Sequence, residues 1–309
     1  YALEHTDWHG ARVARDQAAI LAFAPFDKPI YEAQRELGRL PMYQRLYQEL
    51  ELKAAELPSG NLSVRDEVGE SFDQVFTLAD ESSGHIPGML TYPGFTGYFI
   101  GQSKVLSELC AADAWVLGER AYLSEADRQE ILRQVGDRYV TDYVNYWQTL
   151  LLDLEVQPLQ SPEHALQLLE VITSPDQPLV RVLSMLDANT RSRDRQIAIG
   201  SSLQAVASQI DRPFAQSTSV LRPRGELEPL SQEVNQKLIE LRNYLAAIVR
   251  APEPGLSALK AVELRVANQH ADPVFALQQY ARNLPEPLDR WVGQIAEQSA
   301  SLLLQQATA

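Results

Sequence analysis

The chain has 309 residues, of which 45% are hydrophobic and 22% are charged, and its formal net charge is −14 at pH 7. This composition is typical of a globular protein with a sizeable core, and it excludes a disordered or fibrous protein. The excess of acidic side chains disfavours duplex DNA, RNA and anionic lipid surfaces as main partners. The single cysteine, Cys110, excludes an intramolecular disulfide and leaves the redox compartment open.

The apolar stretches of the chain are short. The longest of them, residues 18–26 and 246–249, fall well below the ~20 residues that a membrane-spanning helix requires. The chain starts at Tyr1 and has no signal region led by Lys or Arg. We therefore expect the chain to be part of a longer protein whose targeting information lies elsewhere.

Helical periodicity dominates the sequence. Apolar residues recur at helical spacing over residues 43–52 and 166–172, for example. Three segments carry typical start signals: Ser124 precedes an acidic turn, Ser161 precedes a proline, and Ser231 precedes Glu233. The sequence therefore predicts an all-α protein with helices packed in series in two helical subdomains. Strict two-residue alternation is scarce, so we expect at most a short strand or hairpin, near residues 74–78.

Residues 84–101 interrupt the helical pattern with five glycines and two prolines, which predict turns. Large aromatic rings are interleaved with these residues, and they are costly to leave exposed in a loop. Such rings either fill the core or anchor a partner, and the core is the favoured alternative. The candidate interaction or core-anchor residues are Tyr92, Phe95, Tyr98, Phe99 and Trp115.

Clusters of proline predict the organisation of the chain. The segment from residue 211 to residue 229 contains three prolines and a glycine, which favour an extended connector between two helical portions. We predict four segments: N-terminal helices over 1–60, a central helical domain over 61–211 that includes loop 84–101, a Pro/Arg-containing connector over 212–229, and a C-terminal helical subdomain over 230–309.

Catalytic and ligand-binding motifs are absent from the sequence. It contains no Gly-x-x-x-x-Gly-Lys, no Gly-x-Gly-x-x-Gly and no Gly-x-Ser-x-Gly. His5 and His9 could share a metal ion on a helix, but a solvated segment is the favoured interpretation. Arg191, Arg193 and Arg195 could bind an anion, although such residues more often form local ion pairs. We predict no catalytic, cofactor-binding or metal-binding residue, and no cofactor.

Four segments follow one another along the chain: 86–95, 113–118, 138–147 and 173–179, the last followed by Asn189-Thr190. They resemble, in the same order, the signatures "PGLFTYxGY", "D-x-WVLG", "Y-x-x-DY-x-x-x-W" and "LS-x-x-x-SPL" of the IcmF/TssM family. Gln177 stands where that family prefers serine, and Met89-Leu90 replaces its Leu-Phe, so the chain resembles a divergent member. The resemblance covers residues 35–309.

This resemblance implies a non-catalytic module of a type VI secretion trans-envelope complex, located in the periplasm as part of a scaffold anchored in the inner membrane. The partners that it implies are a TssJ-like outer-membrane lipoprotein and a TssL-like inner-membrane protein, together with self-association in the assembled complex. We expect no nucleic-acid partner.

Two alternatives come from other classes of function. A periplasmic hydrolase or lyase acting on cell-wall glycan would need a glutamate of raised pKa beside a second carboxylate in a deep cleft. A sensor of small molecules would need an apolar pocket. The sequence shows neither feature, because the burial of side chains and the presence of a pocket can be read only from a structure.

Overall fold

The computed structural model describes residues 40–56, 60–102, 124–191, 201–267 and 272–308. Helices dominate these residues, and the only strands among them form two short two-stranded sheets, so the all-α prediction is confirmed. Several residues discussed above lie outside the described residues: His5, His9, Cys110, Trp115, Arg193 and Arg195, with the whole motif 113–118.

Twelve α-helices can be followed along the described part of the chain. They are α1 (Met42–Ala54), α2 (Val64–Val68), α3 (Phe72–Val75), α4 (Glu125–Asp153), α5 (Pro162–Ile172), α6 (Pro178–Thr190), α7 (Ser201–Asp211), α8 (Ala215–Ser219), α9 (Leu230–Val249), α10 (Pro254–Ala267), α11 (Pro273–Ala281) and α12 (Leu288–Thr308).

Four short strands pair in two antiparallel ladders. Strand β1 (Leu62–Ser63) pairs with β3 (His85–Ile86), and β2 (Phe76–Leu78) pairs with β4 (Leu154–Val156). The strand expected near residues 74–78 is therefore present, although it starts two residues later because α3 occupies the positions before Phe76.

Tertiary packing divides the chain into two compact units. Unit 1 comprises Tyr1–Gly60 and Pro93–Asp142, and unit 2 comprises Asn61–Tyr92 and Tyr143–Ala309. The four segments predicted from the proline clusters stay a prediction. Each of them is a continuous stretch of chain, whereas each unit combines two stretches that are separate in sequence.

The core of each unit is built from buried faces of its helices. In unit 1, Leu46, Tyr47 and Leu50 bury one face of α1. In unit 2, α9 packs against α5, while α10 and α11 pack against α12. Trp291 of α12 is fully buried there, donates its indole N–H to the Leu154 carbonyl at 2.8 Å, and meets the Phe76 ring edge-on.

Two of the three predicted helix starts are confirmed by their hydrogen bonds. The Ser161 hydroxyl accepts from the backbone N–H of His164, with Pro162 at the first helical position. At Ser124 the hydroxyl accepts from the Asp127 N–H at 3.1 Å, while the Asp127 carboxylate accepts from the Ser124 N–H at 3.1 Å. Each arrangement satisfies backbone donors that a helix start leaves open.

The third predicted start, at Ser231, is wrong in its detail. Helix α9 begins one residue earlier, at Leu230, and Pro229 precedes it without a side-chain cap. Ser231 is buried inside the first turn, and its backbone N–H donates to the Val220 carbonyl at 3.0 Å. A contact with a neighbouring segment therefore replaces the local cap.

Two segments predicted from their prolines as turns or extended chain are helical in part. Residues 94–99 form a π-helical stretch, and Pro93 before it has helical dihedral angles. Arg212–Phe214 forms a 3₁₀ helix that leads directly into α8, so the extended conformation expected for 212–229 is wrong for its first part. Proline is compatible with the first turn of a helix because the N–H that it lacks is not needed there.

Candidate interaction surfaces

Three of the candidate aromatic residues belong to the interior of unit 1. Phe95, Tyr98 and Phe99 are buried. The Phe99 ring stacks on the Tyr139 ring with 3.8 Å between ring centroids and 13° between planes. The Tyr98 hydroxyl donates to the Leu50 carbonyl at 2.8 Å. Their geometry is that of core rings with satisfied polar groups.

The remaining two candidates lie elsewhere. Tyr92 is half-buried in unit 2, and Trp115 lies outside the described residues. Burial, followed by the charge of Glu49, raises the pKa of Tyr98 above its usual value, which further favours the protonated hydroxyl. A protonated hydroxyl matches its role as a donor to a backbone carbonyl.

A glutamate of raised pKa does lie beside a second carboxylate in unit 1. Desolvation and then the Asp142 carboxylate raise the pKa of Glu51, while Arg138 opposes the shift. Arg138 donates to Asp142 at 3.0 Å, and its guanidinium lies 5.7 Å from the centroid of the Tyr47 ring. Glu51 itself is exposed on α1, and it lines neither the cavity of about 300 Å³ nor the cavity of about 260 Å³, both of which lie in unit 2. An exposed position differs from the deep cleft in which a glycan hydrolase holds its acid.

Residues from three of the family-like segments meet in unit 2. The Trp147 indole N–H donates to the Leu90 carbonyl at 2.9 Å, and the Tyr143 hydroxyl donates to the Asn189 carbonyl at 2.7 Å. The Asn189 side-chain oxygen accepts from the Tyr92 N–H at 3.1 Å. We call these five residues the motif node. Each of these three hydrogen bonds has a backbone group at one end, so the bonds tie the three segments together within unit 2.

A cavity of about 300 Å³ opens on unit 2 and has mostly apolar walls. At its edge Arg290 of α12 donates to the carbonyls of Leu151 and Leu152 at the end of α4 and to that of Leu154 at the start of β4. Its Nε is buried without a partner among the described residues. Positive charge is stabilising at a helix C-terminus. The lining residues are Gln148, Leu151, Leu152, Pro213, Phe214, Ser217, Glu286, Pro287 and Arg290.

Sequence reasoning did not find Arg290, because an arginine within an amphipathic helix has no signature of its own. Replacing Arg290 with alanine is expected to lower the free energy of unfolding by about 2–3 kcal/mol, since two part-buried carbonyls and one exposed carbonyl lose a charged donor. Urea unfolding followed by circular dichroism measures the change. Arg282→Ala, on the exposed surface nearby, is the matched control and should stay within ~0.5 kcal/mol. Equal effects of the two changes would contradict the capping role.

Other predicted ligand sites receive no support from the described residues. Arg191 pairs with Asp187 at 3.9 Å, and Arg222 also pairs with that carboxylate, so Arg191 takes part in local ion pairing. Within the described ranges no group of three or more His, Cys, Asp or Glu side chains could hold a metal ion. Among those same residues, no helix combines the length and apolar character needed to cross a bilayer.

Comparison with known proteins places the chain in a family. A solved structure, "Type VI secretion system membrane core complex", matches with a TM-score of 0.64 and 16% identity over 86% of this chain and 50% of that chain, which shows a shared fold. The "Type VI secretion system component TssM1" of Pseudomonas aeruginosa PAO1 is 25% identical over 173 residues, or 55% of this chain and 16% of the relative.

The chain therefore spans half or less of the proteins that it matches. A family model, "IcmF-related: Intracellular multiplication and human macrophage-killing", matches residues 3–191. This match covers more than half of the chain and agrees with the motif resemblance, so the protein belongs to the IcmF-related (IcmF/TssM) family.

Proposed function

We propose that this chain is a non-catalytic assembly module of a type VI secretion membrane complex. The observation that carries the proposal is the fold shared with a chain of such a complex over 86% of the present residues. The motif node supports the proposal, because its residues, which lie in or beside the family-like segments, form hydrogen bonds with backbone groups inside unit 2.

The helical architecture suits a spacer within a large assembly. Helix α4 has 29 residues, which corresponds to a length of about 44 Å. Buried indole rings on α4 and α12 bind backbone carbonyls and hold their helices in position. Long helices held in this way keep fixed distances and offer broad faces, and specific association needs roughly 1,000 Å² or more of buried surface.

The partners and the compartment belong to the same proposal. In the whole protein, the module would lie in the periplasm and join a TssJ-like outer-membrane lipoprotein and a TssL-like inner-membrane protein. The alternative of a glycan hydrolase or lyase is disfavoured because Glu51, whose pKa is raised beside a second carboxylate, is exposed on α1.

Affinity purification from cells tests the proposal. The whole protein and the 309-residue chain are each tagged and purified from the membrane-solubilised envelope, and the lipoprotein and the inner-membrane component are measured in the eluates. We expect the whole protein to retain both components and the chain to retain at least one of them. The proposal is wrong if the whole protein retains neither component.

A further inference from the structure

Helix α10 turns its large apolar side chains outward. Its buried positions are small residues, Ala258 and Ala261, which pack against α12. The large side chains on the other side are between 39% and 79% exposed. These exposed side chains are Leu256, Leu259, Leu264 and Val266.

Small residues bring α10 close to α12. A Cβ placed on Gly255 would lie 3.4 Å from the carbonyl oxygen of Gln306, so the start of α10 lies against the end of α12. Leu304, two residues before Gln306, is itself about half exposed. The inward side of α10 is therefore closely packed, and this packing fixes the opposite side of the helix toward solvent.

Four exposed aliphatic side chains on one helix of 14 residues form a concentrated apolar surface. Single exposed leucines are normal on a protein surface, but grouped ones mark sites of association because burying them removes apolar area from water. We call this surface, made of Leu256, Leu259, Leu264 and Val266, the α10 face.

Two opposite charges lie in the middle of the α10 face. Lys260 and Glu263 are exposed and lie three positions apart, between the flanking aliphatic residues. Neither side chain forms an ion pair or hydrogen bond with any residue that the structure describes, whereas Arg265 next to them is already paired with Asp272. The centre of the face thus carries one unpaired charge of each sign.

We propose that the α10 face binds the α10 face of a second copy of the chain in an antiparallel arrangement. A twofold axis near residues 261–262 reverses the order of the two charges. Lys260 of each copy then lies opposite Glu263 of the other copy, which gives two identical ion pairs, and Leu259 of one copy lies beside Val266 of the other. A twofold interface requires this kind of self-complementary surface.

Charge complementarity favours a second copy over a different partner. Two chains that each carry a net charge of −14 repel one another, so a self-contact must offset that repulsion locally. The two Lys260–Glu263 ion pairs of the antiparallel arrangement supply this local attraction. A helix of 14 residues is about 21 Å long, so the contact lies at the small end of protein interfaces and should be reversible. The contact itself is inferred from α10 alone. Its place in a secretion complex rests on the proposed function, which the contact would extend.

Paired charge reversals test the arrangement with the 309-residue chain in sedimentation equilibrium. Lys260→Glu creates two Glu–Glu contacts in the dimer, and Glu263→Lys creates two Lys–Lys contacts. Each change alone should raise the dimer dissociation constant roughly tenfold, because two exposed pairs change from attraction to repulsion. Mixing the two variants in equal amounts should restore dimerisation, since the mixed dimer pairs Glu with Lys at both contacts.

Two further variants separate the α10 face from general surface effects. Leu264→Ser should weaken the dimer by at least about tenfold through lost apolar burial. Leu227→Ser, at an equally exposed leucine outside any helix, should leave the dimer unchanged. Thermal unfolding of every variant at low concentration should match the unchanged chain, because the substituted side chains are exposed.

The proposal is overturned if the chain stays monomeric up to about 0.5 mM. It is also overturned if both charge variants weaken the dimer but their mixture fails to restore it, because the α10 face would then meet a different surface. Either result concerns the chain alone and leaves the affinity purification of envelope components to decide the proposed function separately.

Discussion

Replacing Trp147 with alanine is expected to lower the free energy of unfolding by about 3–5 kcal/mol. The indole is fully buried in unit 2, so the change removes a large apolar surface and leaves a cavity. It also removes the donor for the Leu90 carbonyl, whose burial without a partner adds to the cost. Urea unfolding followed by far-ultraviolet circular dichroism measures the difference.

Trp147→Phe is the matched control for this prediction. It keeps an aromatic ring but loses the indole N–H, and we expect a smaller loss of about 1–3 kcal/mol. The ratio of the two losses separates packing from hydrogen bonding. A loss below ~1 kcal/mol for the alanine variant would show that the motif node does not support unit 2.

Replacing Phe99 with alanine should have a comparable effect in unit 1, about 3–5 kcal/mol. The Phe99 ring is buried beside Phe95 and Tyr139, with 6.2 Å and 3.8 Å between ring centroids respectively. The same unfolding measurement applies. If the aromatic group served mainly as an exposed partner anchor, the alanine variant would retain nearly full stability.

Phe99→Leu tests the contribution of the stacked ring itself. Leucine keeps much of the buried apolar volume, so we expect a loss of only about 1–1.5 kcal/mol, part of which is the aromatic pairing with Tyr139. A leucine variant as unstable as the alanine variant would mean that ring geometry, rather than apolar burial, dominates this part of the core.

The sequence predicted helix starts where the decisive contact is local. At Ser124 and Ser161 the capping bond spans three residues, so the pattern itself contains both partners. At Ser231 the decisive bond runs to Val220, on a preceding segment, and no local pattern reports it. The helical turns over 94–99 follow the same logic, because Tyr98 is held there by Leu50, which lies 48 positions away.

The α10 face was hidden in the sequence for a different reason. Helical spacing shows which residues share a face, but it does not show whether that face is turned to the core or to solvent. The available signal was the pair Lys260 and Glu263 between leucines, on the side opposite Ala258 and Ala261. Small residues that pack closely can outweigh larger ones in deciding which side of a helix is buried.

The most direct test of a non-catalytic role is type VI secretion in cells whose whole protein carries Glu51→Gln, a change at the exposed glutamate whose pKa is raised. Secretion of a substrate protein should equal that of unchanged cells, while Trp147→Ala, which is expected to destabilise unit 2, should reduce it strongly. Loss of secretion by Glu51→Gln, with protein level and complex assembly intact, would contradict the account and indicate a catalytic carboxylate.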